Sequence, residues 1–232
     1  MFKKSFGAGK SIIKKNCIIL PTGDRELFRN LKLNKTYRGM FYEVSDYKYG
    51  TVIFIKPGAP AGDCVLLLEH TACENIILFS SCGGISVEVG DKIISTRAYN
   101  FESFSDFLNQ KKLSKFKPYP PSTALKDKFK KFVGKGYIQD RVFATVNSLN
   151  LEEKRYQDLN DMGISCVDME SSMIFSAADY VNKEAIGIFY VTDTVSKNSF
   201  YIKFPKELRA KIKGSRKSLA GRVTDFIINE LD

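Results

Sequence analysis

Ile76-Ile77-Leu78-Phe79-Ser80-Ser81-Cys82-Gly83-Gly84 is the stretch on which the fold turns. Its apolar half shows no polar alternation, which is what a strand covered on both faces requires. Its serine- and glycine-rich half reads as the place where that strand opens into a ligand site, because glycine lets backbone N–H groups approach an anion closely. Cys166-Val167-Asp168-Met169-Glu170-Ser171-Ser172 has the same form, with carboxylates at the turn. Val191-Thr192-Asp193 closes a further strand-like run over residues 186–191.

Outward from these stretches the chain alternates strands and helices. Residues 17–20 read as a short buried strand stopped by Pro21-Thr22-Gly23-Asp24. Residues 38–44 and 51–55 read as a hairpin pair, and residues 61–73 as a helix after Pro57-Gly58-Ala59-Pro60. A strand over 92–99 follows the turn Val89-Gly90-Asp91, and residues 101–119 are irregular, basic and aromatic, the expected mobile loop. Helices are predicted over 122–133 with Ser122 or Thr123 as N-cap, over 151–162 between Asn150 and Gly163, over 169–181, and over 205–231. Strands are predicted over 137–146 and 186–191. Apolar strands alternating with helices imply a single α/β domain, a mixed central β-sheet flanked by helices, over residues 17–232, preceded by a basic N-terminal arm over 1–16. Ligands in such folds bind at the carboxyl ends of strands, where all three stretches lie.

Composition narrows the function. The net charge of +10 concentrates in residues 3–15, 111–135 and 203–222. No zinc finger, RNA-recognition sheet motif or helix-turn-helix pattern accompanies it, so it reads as solvated faces rather than a nucleic-acid footprint, and as an attractor of small anions. Five scattered cysteines form neither a disulfide framework nor a metal pattern. No apolar run reaches the ~18–20 residues of a membrane helix, and no signal-peptide core precedes Asn16, so a reduced cytoplasmic protein is expected. Gly7-Ala8-Gly9-Lys10-Ser11 is not a phosphate-binding P-loop: the first glycine of that motif would fall at Lys4, no strand precedes it, and a flexible basic arm is expected there instead. His70, the single histidine, reads as a packed or surface residue.

At Gly23-Asp24, Arg38-Gly39-Met40, Ser80-Ser81-Cys82-Gly83, Asp168-Met169-Glu170 and Thr192-Asp193 the chain resembles the nucleoside phosphorylase and nucleosidase superfamily, from about residue 17 to 196. The resemblance implies a phosphorylase-like fold that cleaves the N-glycosidic bond of a nucleoside, expected to be a purine one. Phosphorolysis is the first expectation; hydrolysis and non-catalytic nucleoside binding are the alternatives. By resemblance Asp193 protonates or hydrogen-bonds the departing base at N7, and Glu170 with Met169 holds the ribose. Gly23, Ser81, Arg25 and, across a subunit interface, Arg38 hold phosphate. Phe143 stacks on the base, and Glu26 is the water-activating acid of the hydrolytic alternative. Each has a plainer reading: a helix-end acid for Glu170, a capping or turn aspartate for Asp193, an exposed strand residue for Arg38, and core strand for Phe143. The pattern breaks at Leu27 and Leu78, where phosphorylases of the family carry arginines, and at Asp168, one methylene shorter than the family's glutamate. The resemblance implies no cofactor beyond phosphate as co-substrate, no metal, a homo-oligomer between dimer and hexamer, and neither membrane nor nucleic acid as partner.

Overall fold

A computed structural model describes residues 1–21, 25–101, 103, 116–195 and 203–231, except the side chain of Arg25. Strands β1 (Asn16–Leu20), β2 (Leu33–Arg38), β3 (Glu43–Tyr47), β4 (Thr51–Phe54), β5 (Asn75–Gly84), β6 (Lys92–Phe101), β7 (Pro118–Tyr119), β8 (Gln139–Val146), β9 (Cys166–Asp168) and β10 (Glu184–Thr194) join in one mixed sheet. The α-helices among the described residues are α1 (Phe2–Phe6), α2 (Pro60–Leu67), α3 (Thr123–Val133), α4 (Leu149–Lys154), α5 (Tyr156–Asp161), α6 (Ser171–Tyr180) and α7 (Lys206–Phe226), with 3-10 turns over Lys10–Ile12 and Arg25–Leu31. The α/β, single-domain, mixed-sheet expectation holds.

The sheet order explains where a site can form. β5 pairs in parallel with β1 and β10 and antiparallel with β9, while β10–β6 and β6–β8–β9 pairings complete a circuit. β5, β10, β6, β8 and β9 thus close on themselves, and β1, β4, β3 and β2 extend from β5 as a sheet. Closure leaves the carboxyl ends of β5, β9 and β10 around one opening. The unbroken apolar runs are required because both faces are covered. Leu78, Phe189 and Val191 pack with α2 and α6 on one face, and Ile77, Phe79 and Ile188 pack with α3 and α7 on the other. Exposed cations of α7, including Lys206, Arg209, Lys213, Lys217 and Arg222, form its solvated side.

Several boundaries differ for local physical reasons. β5 runs through Ser80-Ser81-Cys82-Gly83-Gly84 instead of ending at Phe79, because β9 and β10 supply its ladder there. The expected helix over 151–162 starts earlier, with Ser148 Oγ accepting the Leu151 N–H at 3.3 Å, and breaks at Arg155. Ser122 caps α3 as predicted, accepting the Leu125 N–H at 3.2 Å. The helix expected to reach residue 73 stops at Leu67, and α7 ends in a π-helical turn, Ile227–Leu231. Most of the loop expected over 101–119, with Gly23 and Asp24, lies outside the described residues.

The N-terminal arm is docked, a correction to the flexible segment expected. Phe2 and Phe6 are buried, their ring centroids 4.4 Å apart, and Phe6 lies 4.8 Å from the Tyr42 ring. The Arg38-Gly39-Met40 stretch is the corner that receives the arm: a Cβ on Gly39 would lie 2.0 Å from Ser5 O. Phe6→Ala should lower unfolding free energy by about 3–5 kcal/mol in urea titrations, the cost of emptying a fully buried aromatic site. A merely appended arm predicts an unchanged midpoint.

Candidate active site

A cavity of about 220 Å³ lies at the carboxyl ends of β5, β9 and β10, bounded by Ser80, Ser81, Gly83, Met169, Thr192 and four acids, Glu152, Asp168, Glu170 and Asp193. All four acids are buried. Each reaches the cavity by a different local device.

Asp193 is turned inward by a bulge. Val191 stands opposite Cys82 and Asp193 opposite Gly83, so Thr192 is the extra residue in β10. The Thr192 hydroxyl then donates to Asp193 Oδ1 at 2.8 Å. Gly83 makes room for the carboxylates. A Cβ there would lie 2.8 Å from Val167 Cγ2, and its site is 3.5 Å from Asp193 Oδ2 and 3.9 Å from Glu152 Oε1. Both acids therefore face one point above Gly83. Burial pushes the Asp193 carboxyl up against the Thr192 hydrogen bond. Burial, then the neighbouring Asp193 charge, pushes Glu152 up from 4.5 to about 8. A proton is thus held at this end of the cavity near neutrality.

Asp168 and Glu170 form the other acidic pair. Asp168 accepts from Thr145 Oγ1 at 2.9 Å, from the Ser171 N–H at 2.8 Å and from the Ser171 hydroxyl. Burial raises it from 3.8 to about 6, the effect that outweighs those hydrogen bonds. Glu170 sits at the N-cap position of α6 but makes no side-chain cap. Its Oε1 instead accepts the N–H of Gly58 at 3.0 Å, a residue held at φ +89° in the turn after β4. Burial, then the Asp168 charge, lifts Glu170 from 4.5 to about 8. The helix-end reading of Glu170 therefore accounts for its place in the chain and not for its partner. Met169 lies half-buried between the two acids, with its side of the chain on the cavity.

The structure thus brings Asp193, Glu170, Met169 and Ser81 together. It separates the others. Phe143, expected against the base, is fully buried with its ring 4.5 Å from Phe189 and does not line the cavity; Thr145, two residues on, is also buried and touches the site only by donating to Asp168. Arg38 is on the far hairpin, its side chain 78% exposed and paired with Glu43 at 2.8 Å. Glu26 is exposed and does not line the cavity. Gly23 and the Arg25 side chain fall outside the described residues. Leu78 is core, and Leu27 packs against core. Sequence reasoning missed Glu152; its signal was an acid in the first turn of α4, downstream of the strand that ends beside Asp168. His70 is a surface residue beside Glu69, and the described residues contain no cluster of side chains fit to hold a metal ion.

The sequence profile of the phosphorylase superfamily matches residues 14–226. The chain belongs to the phosphorylase superfamily. No curated protein matches its sequence. Solved structures of phosphorylase-superfamily fold do match. A 5'-methylthioadenosine/S-adenosyl homocysteine nucleosidase from Campylobacter jejuni is 13% identical with a TM-score of 0.73, over 92% of this chain and 97% of that one. A uridine phosphorylase from Vibrio fischeri is 18% identical, TM-score 0.72, covering 94% and 93%. A futalosine hydrolase mutant from Helicobacter pylori is 12% identical, TM-score 0.73, covering 94% and 100%. The superfamily handles glycosyl bonds of nucleosides, and its phosphorylases and hydrolases share this fold.

Glu152 and Glu170 make stability pH-dependent in a definite direction. Their folded pKa values lie above the ordinary 4.5, so the folded state holds protons that the unfolded chain releases between about 4.5 and about 8. Their contribution is complete below that window and is lost as pH rises through about 8. The melting temperature should drop on the order of 5 °C or more between pH 6 and pH 9. Glu152→Gln and Glu170→Gln, compared with wild type in the same buffers, should each flatten that slope.

Proposed function

We propose that this protein cleaves the N-glycosidic bond of a purine nucleoside by phosphorolysis, releasing free base and ribose 1-phosphate. The observation that carries the reading is the convergence of Asp193 and Glu152 on one point above Gly83, both protonated more readily than ordinary carboxyls. As the C1'–N9 bond breaks, its electron pair passes to the base, and the purine takes a proton at N7 from Asp193. Burial and the Asp193 charge keep Glu152 protonated beside it near neutrality, so a proton is held at this end of the cavity. Glu170, anchored by Gly58, accepts hydrogen bonds from the ribose hydroxyls, and Met169 covers an apolar face of the sugar. A phosphate oxygen then forms the new bond at C1', held by Ser81 and the glycine-rich end of β5.

Hydrolysis is the second reading. It is favoured by Leu27 and Leu78, which put apolar side chains where a phosphorylase of this family carries guanidinium groups. Against it, Glu26 stands exposed and outside the cavity. Arg38 could serve phosphate only from a second copy of the chain, so we assign a homo-oligomer whose contact face carries the exposed Met40 and Phe41 beside Arg38. The five free, buried cysteines fit a reducing cytoplasmic setting; no helix among the described residues is long and apolar enough to cross a membrane.

Incubation with inosine, adenosine, uridine and methylthioadenosine, with and without phosphate, separates the readings by chromatography of the products. Phosphorolysis releases base only with phosphate. Release without it identifies a hydrolase, and no release from any nucleoside identifies a binding protein. Asp193→Asn should lower purine turnover by about 10²–10⁴-fold with nucleoside binding retained; full turnover in that variant removes the acid role assigned here.

A further inference from the structure

Three of the four acids in the cavity are already engaged. Asp193 accepts from Thr192, Asp168 from Thr145 and Ser171, and Glu170 from the Gly58 N–H. The carboxyl of Glu152 has no hydrogen-bond partner among the described residues. Yet Glu152 is only 6% exposed, and it lines the cavity. A buried polar group left open in this way costs free energy until something in the cavity meets it.

The placement of Glu152 is fixed by its helix. Ser148 caps the first turn of α4, and the Glu152 N–H donates to Ser148 O at 3.2 Å. Leu151 anchors the turn in the buried cluster of Val146, Leu159 and Val167. The carboxyl is thereby held over the end of β5: the place a Cβ on Gly83 would take lies 3.9 Å from Glu152 Oε1 and 3.5 Å from Asp193 Oδ2. Thr192 occupies Asp193 Oδ1, so Oδ2, the oxygen nearer that point, is left for the cavity. Leu149, three residues before Glu152 and so on the same face of α4, also lines the cavity and is 38% exposed. The helix thus offers an apolar surface for a flat ring and an open carboxyl for that ring's edge.

On a purine, N7 and the substituent at C6 are neighbours on one edge. A 6-oxopurine presents two acceptors there, whereas a 6-aminopurine presents an acceptor and a donor. A carboxyl donates only when protonated. Burial and the Asp193 charge keep Glu152 protonated up to about 8, and burial raises Asp193 as well. The remaining charged neighbours, Glu153 on the same helix and Asp168 and Glu170 in the cavity lining, are all acids and favour the neutral form too. Two protonated carboxyls side by side complement an edge with two acceptors. We infer that Glu152 is a specificity-determining residue: its O–H donates to the 6-oxygen of a 6-oxopurine while Asp193 holds N7, so the substrates are nucleosides of hypoxanthine or guanine rather than of adenine. The orientation of the base rests on the purine reading of Asp193; the open, buried carboxyl beside it rests on the geometry.

The test compares inosine, adenosine and purine riboside, which has no substituent at C6, in the full chain with phosphate present. Wild type should show a kcat/KM for inosine about 10- to 100-fold above those for purine riboside and adenosine. Glu152→Leu should lower the inosine value by a similar factor relative to purine riboside. Glu152→Gln should keep most of the inosine preference, because its amide still donates. A change in packing or in the acidity of Asp193 moves inosine and purine riboside alike and cancels in their ratio. Equal losses on those two substrates in Glu152→Leu overturn the proposal. A wild type that favours adenosine, or that does not distinguish inosine from purine riboside, overturns it even if Glu152→Leu folds badly. If no nucleoside is cleaved, the cleavage reading fails alone, and melting shifts with the free bases hypoxanthine and purine judge Glu152. A larger shift with hypoxanthine that Glu152→Leu erases sustains the assignment; equal or absent shifts overturn it.

Discussion

The carboxylate of Asp168 lies at the end of β9 and takes hydrogen bonds from Thr145 in β8 and from both the amide and the hydroxyl of Ser171 at the start of α6. Thr145 is fixed in turn, because its oxygen also accepts the Ser172 N–H at 2.8 Å. A hydroxyl with one proton and two lone pairs can satisfy both demands at once. The two free N–H groups at the head of α6 are therefore satisfied by a side chain behind the helix and by one on a neighbouring strand. Met169 and Glu170, the residues between, have no freedom left to face elsewhere. This tie also accounts for the aspartate where the family's pattern has a glutamate: accepting the N–H three residues ahead is the geometry of a helix-capping acid, which favours the shorter side chain.

Burying these acids works against stability. Each loses hydration, and only Asp168 regains several hydrogen bonds in exchange. Glu152 and Glu170 respond by holding protons up to about pH 8. The cost is borne by the two apolar layers on either side of the sheet, whose strands and helices bury Phe79, Phe129, Phe175, Phe189 and Phe226 almost completely. The rim of a closed set of strands is where such a compromise is tolerated, because β5 and β10 continue past the core with their backbone groups paired while their side chains leave it.

The α/β class, most strands and the strand ends that line the candidate cavity were legible in the sequence, because residues 76–79 and 186–191 state two-sided burial directly. The two acidic stretches were legible as turns at strand ends. Phe143 was not, since Phe143 and Thr145 share one face of β8 and only the register against β9 shows that the first lies beside Phe189 and the second beside Asp168. Glu152 was hidden because its distance from Asp193 is set by the closing of β8 and β9 on β5, a contact with no local pattern. The docked arm was hidden by its lysines: Phe2 and Phe6 carry its energy while Lys3 and Lys4 carry its charge. The bulge at Thr192 could not be read at all, because a bulge is a relation between two strands.

The acids and the anion end of the cavity look incompatible until protonation is considered. Four carboxyl groups line the space, and no Lys or Arg among the described residues lines it with them. If all four were ionised, an incoming oxyanion would meet a strongly negative wall at short range and low dielectric. With Glu152 and Glu170 pushed up to about 8, the wall near neutral pH is far less negative than its composition suggests. The net charge of +10 then favours approach of an anion. The burial that keeps a proton ready for a leaving base is therefore the same burial that lets an anion enter beside four acids.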